Sequence, residues 1–189
     1  QYEGGLRWKF HSGQLVVNAF QITKPYFTFD SADFYAEQGT IRNRGLELSF
    51  SCHFIDNRLS LLVGALFMQP RVTGGLRPAG TPTSNIHIDA NYRTGLLGGL
   101  TPTLSLVHTG TRAVSARGLA SLGGKQLALR PHTTLDIGLR QQFKIGTVPA
   151  SFRMVLQNVF DTATWKVLAA NTLTVEERRR FSLSLAADF

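Results

Sequence analysis

Apolar and polar residues alternate with period two along most of the chain, and no long stretch carries apolar residues at helical spacing. Such alternation puts apolar side chains on one face of a β-strand and polar ones on the other. Tyr2, Gly4, Leu6, Trp8 and Phe10 alternate with Gln1, Glu3, Gly5, Arg7 and Lys9, and Leu46, Leu48, Phe50, Cys52 and Phe54 with Glu47, Ser49, Ser51 and His53. Ile86, Ile88, Ala90 and Tyr92 oppose His87, Asp89, Asn91 and Arg93, while Leu135, Ile137, Leu139 and Phe143 oppose Asp136, Gly138, Arg140 and Gln142. The final segment sets Phe181, Leu183, Leu185, Ala187 and Phe189 against Arg180, Ser182, Ser184, Ala186 and Asp188. Residues 14–22, 59–68, 100–110 and 151–160 follow the pattern less strictly. The reading is an all-β antiparallel up-and-down meander of about nine strands, each near the ~9–11 residues a tilted strand needs to cross a bilayer core.

The connections alternate as well. Short links at 11–13, 55–57, 94–99 and 144–148 carry hairpin residues such as Ser12-Gly13 and Asp56-Asn57. Long links fall at about 23–42, 70–84, 112–132 and 161–179, so every second connection is long and all of them project from one end. That asymmetry suits an outer-membrane barrel, with short periplasmic turns and long extracellular loops. Alternation alone also fits a soluble β-sandwich or a lipocalin-like barrel, in which inside and outside exchange roles. Aromatic residues near strand ends (Trp8, Phe10, Phe54, Phe143, Phe160, Trp165) and charges spread over the polar faces tilt the reading toward the membrane. In a nine-stranded meander the first and last strands run the same way and cannot close antiparallel. A barrel with an even strand number would therefore need further strands before Gln1.

Composition changes this picture little. The chain has 189 residues, of which 43% are hydrophobic, enough for a folded domain. Its longest apolar run, residues 61–68, is far short of the ~20 residues of a membrane helix, and residues at the start show no secretory signal pattern. The single cysteine, Cys52, has no intrachain partner and reads as a small apolar side chain on a packed face. A formal charge of +8 suits an anionic membrane surface. Apart from Arg178, Arg179 and Arg180 the cations are scattered singly, without a nucleic-acid-binding motif, so no nucleic-acid partner is expected.

Candidate chemistry is sparse. His87 and Asp89 share a strand face and His53 could approach them, but three or four converging ligands are needed for a metal, and a polar barrel interior contains such residues by default. No metal site is expected. There is no G-x-S-x-G elbow, and Gly123-Gly124-Lys125 lacks phosphate-loop spacing, so enzymatic activity is not expected either. The long links are richer: Tyr26, Phe27, Phe29, Phe34 and Tyr35 crowd the first, Arg112, Arg117, Lys125 and Arg130 populate the third, and Trp165 lies in the fourth. Aromatic surfaces and cations at a barrel mouth could stack on and attract an anionic aromatic ligand, or form an interfacial belt facing lipid phosphates.

Six motifs in order carry a family resemblance. Gln1-Tyr2-Glu3 precedes Gly5-Leu6-Arg7; Ala19-Phe20-Gln21-Ile22-Thr23-Lys24-Pro25 follows; then come Arg42-Asn43-Arg44-Gly45-Leu46-Glu47-Leu48-Ser49, Thr133-Thr134-Leu135-Asp136-Ile137-Gly138 and Gln157-Asn158-Val159-Phe160-Asp161, with an aromatic Phe189 last. Over essentially its whole length the chain resembles the C-terminal barrel portion of TonB-dependent siderophore receptors, the R-x-R-G-L-E-L-S element being the most specific. Thr162-Ala163-Thr164-Trp165 stands where many relatives have K-x-Y.

The resemblance implies a barrel of about 22 strands when complete, with its plug domain and earlier strands outside residues 1–189. It implies an outer-membrane location and uptake of a ferric siderophore as cargo, without a resident cofactor. Implied partners are outer-membrane lipid and lipopolysaccharide, the assembly machinery through Phe181 and Phe189, and the TonB complex only through an N-terminal region outside this chain. Glu47, His53, His87, Asp89, Arg93, Asp136 and Arg140 are expected to face the lumen, because a lipid-facing Arg at midplane costs ~2–4 kcal/mol. Tyr26, Phe27, Phe29, Phe34, Tyr35, Arg112, Arg117 and Trp165 are the candidate ligand contacts. Gly45 is read as a bulge, a close approach to a neighbour, or a chance strand glycine. A small independent porin-like or structural barrel and a soluble β-sandwich binding module are the rival readings.

Overall fold

The computed structural model describes residues 1–29 and 34–188. Nine strands form one antiparallel sheet in the order β1-β2-β3-β4-β5-β6-β9-β10-β13. They are β1 (Tyr2–Phe10), β2 (Gly13–Phe29), β3 (Tyr35–Phe54), β4 (Leu59–Val72), β5 (Ser84–Tyr92), β6 (Thr101–Thr109), β9 (His132–Ile145), β10 (Val148–Gln157) and β13 (Arg180–Ala187). Two short ribbons belong to the long connections: β7 (Arg112–Ala113) with β8 (Ala128–Leu129), and β11 (Trp165–Ala169) with β12 (Thr172–Val175). The meander and the long-short alternation of links are those expected from the periodicity.

Directly paired residues share a face, so the register assigns each side chain to one side of the sheet. One row runs Asn18, Glu47, Leu66, Asn85, Thr109, His132, and another Val16, Ser49, Gly64, His87, Val107, Thr134. Further rows join His53 to Ser60, Asn91 and Thr103, and Asp89 to Ser105 and Asp136. This is the polar face. The opposite face carries Leu6, Trp8, Val17, Leu46, Phe67, Tyr92, Leu104, Ile137, Phe143, Phe181, Leu183 and Leu185, every one of them exposed. Among the described residues no second sheet covers that apolar face. A soluble sandwich would bury such a face against a partner sheet.

Gly45 marks a close approach rather than a bulge. The β3–β4 register runs unbroken through it, and a Cβ there would collide with the Phe67 carbonyl oxygen and press on Met68 Cα and the Phe20 ring. The irregularity lies elsewhere, between Pro25 and Phe27, where the β2–β3 ladder shifts. Pro25 has no N–H to contribute to a ladder, which favours a break at that position.

The link expected at 23–42 is mostly strand. β2 continues to Phe29 and β3 resumes at Tyr35, because Thr23, Tyr26, Phe27, Thr28, Phe29, Tyr35, Thr40 and Ile41 are β-formers. The seven residues Thr23–Phe29 lengthen the hairpin by about 20 Å. Strand β10 stops at Gln157, three residues before its expected end, because Asn158 turns to φ 49. Trp165 starts a loop ribbon and is not at the end of a membrane strand.

A single sheet with lipid on one side has little interior of its own. The most continuously buried segment is therefore in a loop: Arg112, Ala113, Val114 and Ser115. Neighbouring loops satisfy its backbone. The Ala113 carbonyl accepts from Gly80 N–H at 2.9 Å, Val114 N–H donates to Leu127 O at 2.7 Å, and the Val114 carbonyl accepts from Asn171 N–H at 3.0 Å. Buried backbone must be paired in this way. Gln126 adds a side-chain tie, accepting from Arg77 N–H and donating to the carbonyls of Arg77 and Ser115. The second, third and fourth long connections thus pack as one layer over one end of the sheet.

Candidate functional site

The polar face brings six of the seven expected inward residues together on one side: Glu47, His53, His87, Asp89, Asp136 and Arg140. Arg93 follows the end of β5, where its backbone N–H donates to the Arg58 carbonyl at 2.8 Å. Their partners are local. His87 Nε2 lies 2.9 Å from Asp89 Oδ2 and 3.3 Å from Ser105 Oγ, while His53 Nδ1 lies 3.0 Å from Ser60 Oγ. His53 falls in the row of Asn91, four residues along β5 from His87, or about 13 Å at strand rise. The imagined cluster is not assembled, and among the described residues no group of three His, Cys, Asp or Glu converges. A cavity on this face is lined by Asp89, Ser105, Asp136, Arg140, Arg153 and Gln157, a mixed-charge surface suited to water or to a polar protein segment.

Asp136 has a structural duty. Its Oδ1 accepts from Asn158 N–H at 2.8 Å, which turns the chain out of β10 and into the fourth long connection. Asn158 is buried and uses its whole amide: Nδ2 donates to the carbonyls of Thr162 (3.0 Å) and Glu177 (3.2 Å), and Oδ1 accepts from Thr162 N–H at 2.9 Å. Asp161 closes the other side, accepting two bonds from the Arg178 guanidinium and one from Arg179 N–H. These bonds, those of the Arg178 side chain first, hold the Asp161 carboxyl well below the usual carboxylate range, and Asp161 in turn raises Arg178. Asn158 and Asp161 both have positive φ, 49° and 52°, a conformation their side chains tolerate better than most. The Asn-Val-Phe-Asp element is therefore the stem clamp of a loop.

At the mouth, the candidate ligand residues divide into two places. Phe27 and Tyr35 stack with centroids 6.0 Å apart, and Phe29 meets Tyr35 edge-on at 5.4 Å. All three are at least half exposed, at 50%, 65% and 57%. Phe34 is exposed beside them in sequence, and Tyr26 is half-buried. Arg117 reaches this tip from the third long connection, donating to the Phe29 carbonyl at 3.1 Å across 88 positions of sequence. A guanidinium thus stands at an open aromatic ledge.

Arg112 is elsewhere. It is buried, donates to the Trp165 carbonyl at 3.2 Å, lies 3.3 Å from His132 Nδ1, and pairs with Glu176 at 3.7 Å. His132 Nε2 also faces Glu176, at 3.6 Å. Arg112 therefore locks the third connection to the fourth, and its burial removes it from the open ledge. Trp165 itself is exposed, on the ribbon Arg112 holds. Phe181 lies outward on β13, opposite Leu156 on β10; Phe189 lies outside the described residues. Glu176, Asn158 and Gln126 were missed from sequence. Their partners lie up to 64 positions away, and only the Asn-Val-Phe-Asp motif signalled one of them.

A one-layer antiparallel meander with an apolar outer face, a polar inner face, short turns at one end and packed long loops at the other is the wall of an outer-membrane β-barrel. Residues 1–163 match the family described as TonB dependent receptor-like, beta-barrel, and the chain belongs to that family. It is 27% identical over 184 residues to the ferrichrome receptor FcuA of Yersinia enterocolitica, covering 90% of this chain and 23% of that protein. Among solved structures, the ferric preacinetobactin receptor BauA of Acinetobacter baumannii superposes with a TM-score of 0.80 at 25% identity, over 99% of this chain and 29% of that one. The pyoverdine outer membrane receptor FpvA of Pseudomonas aeruginosa shares the fold, with a TM-score of 0.78 at 16% identity over 100% of this chain and 29% of its own. The chain spans about a quarter of the relatives it matches. Members of the family are receptors and transporters of the outer membrane, and the outer membrane is where this chain resides.

Proposed function

We propose that this chain supplies the C-terminal barrel wall and part of the extracellular mouth of a receptor that captures a ferric siderophore. Uptake would be driven by the TonB complex, engaged through a region outside residues 1–189. Catalysis plays no part in this reading: the cargo is bound and moved, and no bond in it is broken. The observation that carries it is the contact of Arg117 with the Phe27–Phe29–Tyr35 ledge, which sets a cation beside exposed rings. Ferric catecholates are anionic and aromatic, so ring stacking and guanidinium attraction both favour them over neutral ferric hydroxamates. Names of the relatives support iron-chelate binding in general: ferrichrome for one, ferric preacinetobactin for another. Packing of the second, third and fourth connections into one layer supports a preformed mouth, which lowers the ordering cost of binding. In biogenesis, the assembly machinery would engage β13, whose outward row is Phe181, Leu183 and Leu185.

The test is binding of radio-iron tris-catecholate and tris-hydroxamate complexes to receptor-deficient cells expressing the full-length receptor that contains this chain. Tyr35→Ala and Arg117→Gln should each weaken catecholate binding, by roughly fivefold if one stacking or cation contact worth about 1 kcal/mol is lost. Unchanged binding in both variants would remove the ledge from the site.

A further inference from the structure

The third and fourth long connections meet at a buried group of three side chains. Arg112 comes from the third, Glu176 from the fourth, and His132 from the start of β9, on the loop side of Leu135. The side chains of Arg112 and His132 are each 9% exposed. Arg112 Nη2 lies 3.3 Å from His132 Nδ1 and 3.2 Å from the Trp165 carbonyl oxygen. The Glu176 carboxylate stands 3.7 Å from Arg112 Nη1 and 3.6 Å from His132 Nε2, beyond hydrogen-bond range for both.

That arrangement fixes the charge of His132. A guanidinium is always protonated and offers only donors, so Nδ1 must accept from it, and the ring must be neutral with its proton on Nε2, towards Glu176. A second proton, on Nδ1, would aim one N–H at another. Arg112 would then lose a buried acceptor, while its Nε already has none among the described residues. The charged and titratable groups that face His132 are Arg112, Glu176 and, from β6, His108. Burial does most to lower the His132 pKa, Arg112 and His108 lower it further, and Glu176 opposes them without reversing the direction. The open state therefore takes up the proton more readily than the closed one. The contact is complete above the ordinary value of 6.5 and is lost as pH falls below it.

We propose that Arg112, His132 and Glu176 form an acid-sensitive latch between the third and fourth connections, closed while His132 is neutral and released when it is protonated. Release parts the third connection from the β11–β12 ribbon. Asn158 and Asp161 lie outside the group, so the stem of the fourth connection and the pairing within its ribbon persist. The mouth is thus held together at neutral pH and loosened in acid, whatever cargo it receives.

The test is hydrogen exchange by mass spectrometry on the full-length receptor in proteoliposomes, with exchange expressed as protection relative to the intrinsic rate at each pH. The reporter is the Asn171 N–H, which donates to the Val114 carbonyl across the two connections. One linked proton changes an opening equilibrium by at most about tenfold per pH unit, so between about pH 7.5 and 5.5 protection at Asn171 should fall several-fold, up to about tenfold. The Arg179 N–H, in the stem, should keep its protection over that range. His132→Asn, whose Oδ1 accepts where Nδ1 did and does not titrate, should hold protection near the parent's neutral value and abolish the fall. His108→Gln should retain the fall. Heat-modifiable mobility on gels verifies that each variant is folded. A parent that shows no fall, a fall that survives in His132→Asn, or one abolished by His108→Gln would overturn the proposal.

Discussion

Replacing Asn158 with alanine tests whether the Asn-Val-Phe-Asp element is a clamp. The substitution removes three hydrogen bonds, to the carbonyls of Thr162 and Glu177 and from Thr162 N–H, in a buried setting. At about 1 kcal/mol net for each, the loss is about 3 kcal/mol. Holding alanine at φ 49 adds about 1 kcal/mol that asparagine partly avoids. A total of about 4 kcal/mol corresponds to nearly a thousandfold rise in the open population of the fourth connection. Trypsin cleavage after Lys166, which lies in the β11–β12 ribbon, reports that population when reclosing is fast. The full-length receptor in proteoliposomes should stay heat-modifiable while the cleavage rate climbs steeply. Asn158→Gly keeps the loss of hydrogen bonds but relieves the backbone, so it should fall between alanine and the parent. A cleavage rate for Asn158→Ala within a fewfold of the parent, or an order with glycine above alanine, would refute the clamp.

Two other expectations follow from the same geometry. The Asp161 carboxyl is held below its ordinary value of 3.8 by Arg178 and by Arg179 N–H, so its contribution is complete above that value and is lost as pH falls through the lower folded-state pKa. Cleavage after Lys166 in the parent should thus be flat with respect to the clamp from pH 7 to 5 when corrected for protease activity, and opening by hydrogen exchange should rise only below about pH 4; an onset near pH 6 would point to a different group. Single cysteines in a Cys52→Ser background address orientation: Ser121→Cys, in the third connection, should react with an impermeant maleimide on whole cells, and Arg58→Cys, in the β3–β4 turn, only after permeabilisation. The reverse pattern would invert the barrel.

Period-two alternation made the strands and their two faces legible, because a membrane wall needs every second residue to be apolar. Glu47, His87, Asp89, Asp136 and Arg140 lie on one face for that reason. Beyond the bilayer that constraint ends, and with it the signal. From Phe27 to Phe29 the chain no longer alternates in register with the wall, since the ladder shifts after Pro25. The candidate site was half legible. Phe27, Phe29, Tyr35 and Arg117 were chosen by chemistry alone, and the fold brings them together. Arg112 looked like a free cation because its partners, Glu176 and the Trp165 carbonyl, are more than fifty positions away. Asn158 was visible as a family signature, while its bonds to Asp136 and Glu177 depend on three segments meeting in space.

The central claim is that one face of this sheet meets lipid and the other does not. Spin labels at Leu104 and Ser105, neighbours on β6 that point to opposite faces, test it in the full-length receptor reconstituted into liposomes. Collision with oxygen, which concentrates in the acyl region, should dominate at Leu104, and collision with a water-soluble nickel chelate should be relatively greater at Ser105. The same contrast should recur at Leu183 and Ser184 on β13. Equal profiles within each pair, or a reversed contrast, would contradict the account.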